Sequence, residues 1–261
     1  MHVAETGSGR PLIFLHGWSC HGGFFAPQAT AFGQDHHVLL PDLPGHRHSP
    51  CPTGALSIPA LADALHDLIV GRGLRDATLV GWSMGALVAF DYVARHGTGA
   101  LAGLVIEDMT PRIVNDGDWS LGIRGGFDTA QSMAAVLAMQ ADWPAYARGF
   151  LPRLFARAGG TDPALSAWAG TEIASTAAGA MAALWASMAE RDYRWLMPKL
   201  DLPVLVLHGE DSQLYDPAVS RWLEQMIPGA RRHGIAGAGH APHLERPLDY
   251  NAALGAFIRR P

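Results

Sequence analysis

The chain has 261 residues, 49% hydrophobic and 16% charged, with a formal net charge of −5. That apolar content excludes a disordered chain, and an acidic balance without basic clusters argues against nucleic acid or an anionic membrane surface as partner. No stretch reaches the roughly 20 apolar residues of a membrane span. MHVAETGSGR shows no basic segment leading into an apolar one, so no signal peptide is expected and a cytoplasmic location is. Cys20 and Cys51 fit neither a disulfide framework nor a metal spacing and read as reduced thiols.

Leu12–Leu15, running into His16-Gly17-Trp18, reads as a buried strand entering a loop, and Val38–Leu40 before Pro41-Asp42 reads alike. Ser57 caps a helix with apolar positions Leu61, Leu65, Leu68 and Ile69, ended by Gly71 and Gly73. Thr78–Val80 is a predicted strand, Met84 to Arg95 a helix, and Leu104–Ile106 a strand. Val204–Leu207 is the next strand, and Asp216-Pro217 starts another helix. A strand near Arg232 to Ile235 and a helix from Pro247 to Arg260 close the chain. Short apolar strands alternating with helices predict an α/β fold, a mostly parallel sheet covered on both faces.

Between these strands, residues 112–198 contain no strand-like run. Helix starts stand at Asp128, with Gln131 completing a capping box, and at Asp162-Pro163. The expectation is a helical cap at 112–198 on a core of 1–111 and 199–261. The cap's aromatics, Trp119, Phe127, Trp143, Phe150, Trp168, Trp185 and Trp195, offer walls for an apolar pocket, most of them as ordinary packing.

The chemical signal is Gly81-Trp82-Ser83-Met84-Gly85, a G-x-S-x-G between a strand and a helix. Its glycines permit a tight turn that lifts the Ser83 hydroxyl off the sheet edge. The backbone N–H of Met84, at the helix start, then faces a developing oxyanion. A serine hydroxyl needs a base. Of the 13 histidines, His240 in the glycine-rich loop after the last strand is best placed to reach it. His243 is read as structural because no third metal ligand is obvious, and His46 and His48 as loop histidines bonded to backbone.

At these residues the chain resembles the α/β-hydrolase family. His16-Gly17-Trp18, Asp42-Leu-Pro-Gly-His46, the elbow at Ser83 and Gly239-His240 occur in the family's order over almost the whole chain. The elbow and the His-Gly-Trp loop also resemble those of methyl ester esterases of biotin synthesis, at positions generic to the family. The resemblance implies Ser83 as nucleophile, His240 as general base and then acid, and an oxyanion hole from the backbone N–H groups of Trp18 and Met84. Arg47 stands where the family has a small residue, a departure expected to touch the pocket rim.

The resemblance also leaves the acid open. The family's common place is the third residue after Gly209, which is Ser212 in His208-Gly-Glu-Asp-Ser212. Asp211 is one place early and points elsewhere unless the turn adjusts, because adjacent residues of extended chain face opposite ways. One strand over, Glu107-Asp108-Met-Thr-Pro111 resembles a subgroup of small esterases that keep an Asp there and a serine at the later position. Parallel strands lie about 4.8 Å apart, so a relocated acid stays within reach. Asp108 is therefore the preferred acid, Asp211 the alternative and Glu107 the third choice, with Ser212 as a supporting donor to Asp108. Asp108 as a simple turn cap at the cap entrance is the plain structural alternative.

The expected activity is hydrolysis of small, largely apolar carboxylic esters through an acyl-enzyme, with no metal and no organic cofactor. A lactonase, for example on acyl-homoserine lactones, and a cofactor-free perhydrolase stay open. So does a small-ligand receptor on a hydrolase fold. The oligomeric state is not legible.

Overall fold

The computed structural model describes residues 1–52, 54–157 and 161–259. Seven strands form one sheet: β1 (Val3–Thr6), β2 (Arg10–Leu15), β3 (His36–Pro41), β4 (Ala77–Trp82), β5 (Leu101–Glu107), β6 (Val204–Gly209) and β7 (Arg231–Ile235). Their order is β1-β3-β2-β4-β5-β6-β7, parallel throughout except that β1 runs antiparallel to β3. The apolar runs of the sequence fall inside β2 to β6 and are almost wholly buried, because helices cover both faces of a parallel sheet. The edge strand β1, Val-Ala-Glu-Thr, carries no such run and is mostly exposed. No expectation covered it.

Helices α1 (Ala26–Phe32), α2 (Ile58–Gly71) and α3 (Met84–His96) follow β2, β3 and β4. The Ser57 hydroxyl accepts the Ala60 N–H at 3.3 Å, capping α2 as predicted. Its Leu61, Leu65 and Ile69 are fully buried on the face turned toward α3. Every residue of α3 from Met84 to Val93 is buried. Full burial of a side chain such as Leu87, Val88 or Phe90 contributes about 1.5–3 kcal/mol, which fixes the helix carrying the elbow firmly to the sheet.

Between β5 and β6 the chain inserts α4 (Thr129–Ala141), α5 (Trp143–Phe150), α6 (Pro163–Ala174) and α7 (Ala178–Ala189). Asp128 and Gln131 form the capping box that begins α4, at 2.8 and 2.9 Å. Asp162 caps α6 through the Ala164 N–H, and Asp142, not singled out in the sequence, caps α5 through Ala145. Helix α4 packs along α7, and α7 reaches α2. Then come α8 (Pro217–Met226), capped by Asp216, the short α9 (Pro242–Glu245) and α10 (Pro247–Ile258). The expected helix end at Arg260 lies outside the described residues. Phe150 of α5 and Trp185 and Met188 of α7 roof a space shared with Gly17, Ser83 and Met109, just past the ends of β2, β4 and β5.

Candidate active site

Two neighbouring strand tips carry non-glycine residues in the left-handed region. Ser83, directly after β4, has φ +52° and ψ −120°, and Asp108, directly after β5, has φ +39°. Such backbone costs about 1–3 kcal/mol per residue and persists only where its surroundings impose it. Here the sheet ladder imposes it. Trp82 is in register with Glu107, the Ser83 N–H donates to the Glu107 carbonyl at 3.0 Å, and the Asp108 N–H donates to the Leu207 carbonyl at 2.8 Å. Pairing thus runs one residue past the strands and sets Ser83 and Asp108 side by side. The glycines of the elbow are sterically required. A Cβ at Gly81 would come within 2.6 Å of the Ala86 backbone, and one at Gly85 would collide with the Leu15 carbonyl.

His240 reaches the same place from the loop after β7. Its Nδ1 lies 2.6 Å from Asp108 Oδ2, both side chains buried. A carboxylate oxygen accepts, so Nδ1 is the donor of this bond. The Ser212 hydroxyl donates to the same Oδ2 at 2.7 Å and itself accepts the Leu214 and Tyr215 N–H groups at 3.3 Å. Asp211 is exposed, and its N–H is held by the Ala238 carbonyl. The His240 loop is tied down by its own backbone. Trp82 Nε1 donates to the His240 carbonyl at 2.7 Å. The Gly239 and Ala156 N–H groups donate to the two oxygens of Glu245 at 2.6 and 2.8 Å.

Glu107 and His243 form a separate pair. Glu107 Oε1 accepts from His243 Nδ1 at 2.6 Å and Oε2 accepts from the Tyr250 hydroxyl at 2.7 Å, all three residues wholly buried. Adjacent strand residues point to opposite faces, which turns Glu107 away from His240. Burial and the Glu107 carboxylate push the Tyr250 phenol well above its usual range. His243 was expected to be structural, but its partner, 136 residues away, was not legible.

The loop after β2 is set by His16. Its Nε2 accepts the Leu43 N–H at 2.9 Å, and its Nδ1–H donates to the Gly17 carbonyl at 2.9 Å. This neutral tautomer suits a fully buried ring, and burial, reinforced by the nearby His46, holds its pKa well below the usual value. Trp18 follows, its indole donating to the Met181 carbonyl of α7 at 2.9 Å. Among the described residues, no backbone or side-chain acceptor takes the N–H of Trp18 or of Met84.

Ser83, His240 and Trp18 open on a narrow cleft. From the roof, Phe150, Trp185 and Met188 line it, and Ile113 and Ile123 line it from the segment leading into the insert. Of the other singled-out aromatics, Trp143 packs edge-on against Trp18 and Phe127 against Trp185. Trp168 packs on Phe24, Trp119 lies beneath Arg194, and Trp195 is 51% exposed. Tyr215, which the sequence did not mark, lies beside His240, its phenol pushed upward by burial and the Asp108 charge. Arg47 is not among the cleft residues. Its guanidinium donates to Glu172 of α6 at 2.7 Å, and His21 meets the same oxygen at 3.0 Å, joining core loops to the insert. His46 bonds to the Leu43 carbonyl as expected. Among the described residues the His48 ring has no backbone partner: its Nδ1 faces Asp42 Oδ2 at 3.1 Å.

Residues 12–253 match the sequence model of the alpha/beta hydrolase family. A pimeloyl-[acyl-carrier protein] methyl ester esterase of Xanthomonas oryzae pv. oryzae is 32% identical over 271 residues, covering 99% of this chain and 98% of that protein. The solved esterase of Exiguobacterium antarcticum superposes with a TM-score of 0.93 at 21% identity, over 99% of this chain and 95% of that one, a likeness of fold. The esterase RhEst1 of Rhodococcus sp. is 29% identical with a TM-score of 0.81, over 98% of this chain and 93% of that one.

Proposed function

The chain belongs to the alpha/beta hydrolase family, and from that premise we propose that it hydrolyses carboxylic esters of small, largely apolar substrates through an acyl-enzyme on Ser83. The observation that carries this reading is the short contact of His240 Nδ1 with Asp108, at the strand tip beside the strained Ser83 and under an apolar roof.

In this scheme an ester enters the cleft with its carbonyl carbon at Ser83. His240 Nε2 takes the hydroxyl proton as Oγ attacks, and Asp108 stabilises the imidazolium through Nδ1–H. The N–H groups of Trp18 and Met84 receive the oxyanion, the latter at the positive end of α3. His240 then hands its proton to the departing alcohol, leaving an acyl-Ser83. Water enters, loses a proton to Nε2 and attacks the acyl carbon, and the acid departs as the proton returns to Ser83. Every proton is carried by groups of the chain or by water. The cleft is lined chiefly by apolar side chains, which supports an apolar acyl or aryl part. The methyl esterase name of the Xanthomonas relative supports a small alcohol as the leaving group.

The test is a p-nitrophenyl ester series, with methyl esters and lactones added, on wild type and Ser83→Ala. Burst kinetics with short acyl chains, absent in a folded Ser83→Ala, are expected. Full activity in Ser83→Ala overturns the mechanism, and a preference for lactones over every open ester overturns the substrate class.

A further inference from the structure

Away from the cleft, His2, Asp42 and His48 converge at the start of the edge strand. His2 Nδ1 and His48 Nδ1 each lie 3.1 Å from the same oxygen, Asp42 Oδ2, and the three ligand atoms fall within 4.8 Å of one another. We propose that these three side chains form a binding site for a divalent transition-metal ion, zinc in the first instance, that clips β1 to the loop between β3 and α2.

The donor set suits the ion. Two imidazoles and one carboxylate are ligands of borderline metals, and a tetrahedral centre with about 2.0–2.2 Å bonds separates its ligand atoms by roughly 3.4 Å. The two nitrogen–oxygen separations are already close to that value. The imidazole nitrogens reach it by closing up to about 1.4 Å between them, a movement shared by two side chains that are 46% and 58% exposed. The fourth position is left for water.

The surroundings hold the ligands rather than consume them. Asp42 is buried, and its second oxygen accepts the Gly22 N–H at 3.0 Å, so Oδ2 is turned outward to the histidines. An outer partner of this kind orients metal-ligating carboxylates. His2 is fixed on both sides by backbone: its N–H donates to Ser49 Oγ at 2.8 Å, and its carbonyl accepts the Asp42 N–H at 3.0 Å. On metal binding the two Nδ1–H···Oδ2 bonds are replaced by nitrogen–metal bonds, and the remaining ring protons sit on Nε2. No redox change is involved, and the site lies outside the groups assigned to ester hydrolysis.

The test is a titration of the full chain with zinc chloride by calorimetry, alongside thermal melts of wild type, His2→Gln and His48→Gln. Both replaced side chains are surface groups, so metal-free melting reports that the variants fold. The proposal expects about one zinc per chain in wild type, a melting rise of about 5 °C or more at roughly a hundredfold excess over the dissociation constant, and loss of both in each variant. No zinc binding in wild type overturns it. So does binding that survives both substitutions, which would place the ion on other histidines.

Discussion

The Ser212 hydroxyl and the Asp108 carboxylate, 104 residues apart in the chain, meet at 2.7 Å beneath His240. Ser212 stands where the sequence resemblance places the acid, and Asp108 sits one strand over. Two residues that look like separate departures in the sequence are a single hydrogen-bonded unit, with His240 Nδ1 and Ser212 Oγ sharing one carboxylate oxygen.

If Asp108 is the acid, Asp108→Asn lowers kcat by roughly 10⁴-fold on a p-nitrophenyl ester, the cost of a lost acid in a serine triad. Asp211→Asn, changing an exposed side chain, stays near wild type. Parallel kinetics on the two variants decide, and the reverse pattern gives the role to Asp211.

Ser212→Ala removes one of the two donors to Asp108 Oδ2 while leaving His240 in place. The expected loss is about tenfold in kcat with little change in KM, as for partners that orient a functional group from behind. In the Asp108→Asn background, Ser212→Asp should restore part of the rate, because its carboxylate would arise within reach of His240. A double variant no faster than Asp108→Asn refutes the shared geometry.

Glu107→Ala leaves His243 Nδ1 and the Tyr250 hydroxyl buried without their acceptor. Removing one partner of a buried pair costs about 3–5 kcal/mol. An unfolding free energy, measured in urea or guanidinium, lowered by less than a third of that would show the network to be replaceable by solvent.

His46 is fully buried, and burial pushes its pKa from 6.5 down to about 4. His16 shifts in the same direction. The folded state thus binds fewer protons than the unfolded state between these values. Stability is complete above about pH 6.5 and falls as the pH drops toward 4, by about 3 kcal/mol for His46 alone. Denaturant midpoints at pH 7 and pH 4.5 measure the loss, and a flat profile contradicts the buried neutral ring.

What the sequence made legible was local. Apolar runs, the Ser57, Asp128 and Asp162 caps, and the glycines around Ser83 all act within a few residues, so composition and spacing reveal them. Strand β1 escaped because an exposed edge carries no apolar signature. The joint of Arg47 and His21 with Glu172 escaped because its members are more than a hundred residues apart. The Glu107–His243–Tyr250 network escaped for the same reason, and His243 by itself gave no sign of which carboxylate it faces. Asp108 drew notice in the sequence only through a resemblance, carried by a proline three residues on and a serine at the next strand tip.

Trp18 belongs to two bodies at once. Its backbone N–H sits on the core loop beside Ser83, while its indole is fastened to Met181 of the roof and wedged among Trp143, Phe150 and Trp185. The residue proposed to share the negative charge is thus fastened to the core loop and to the insert alike.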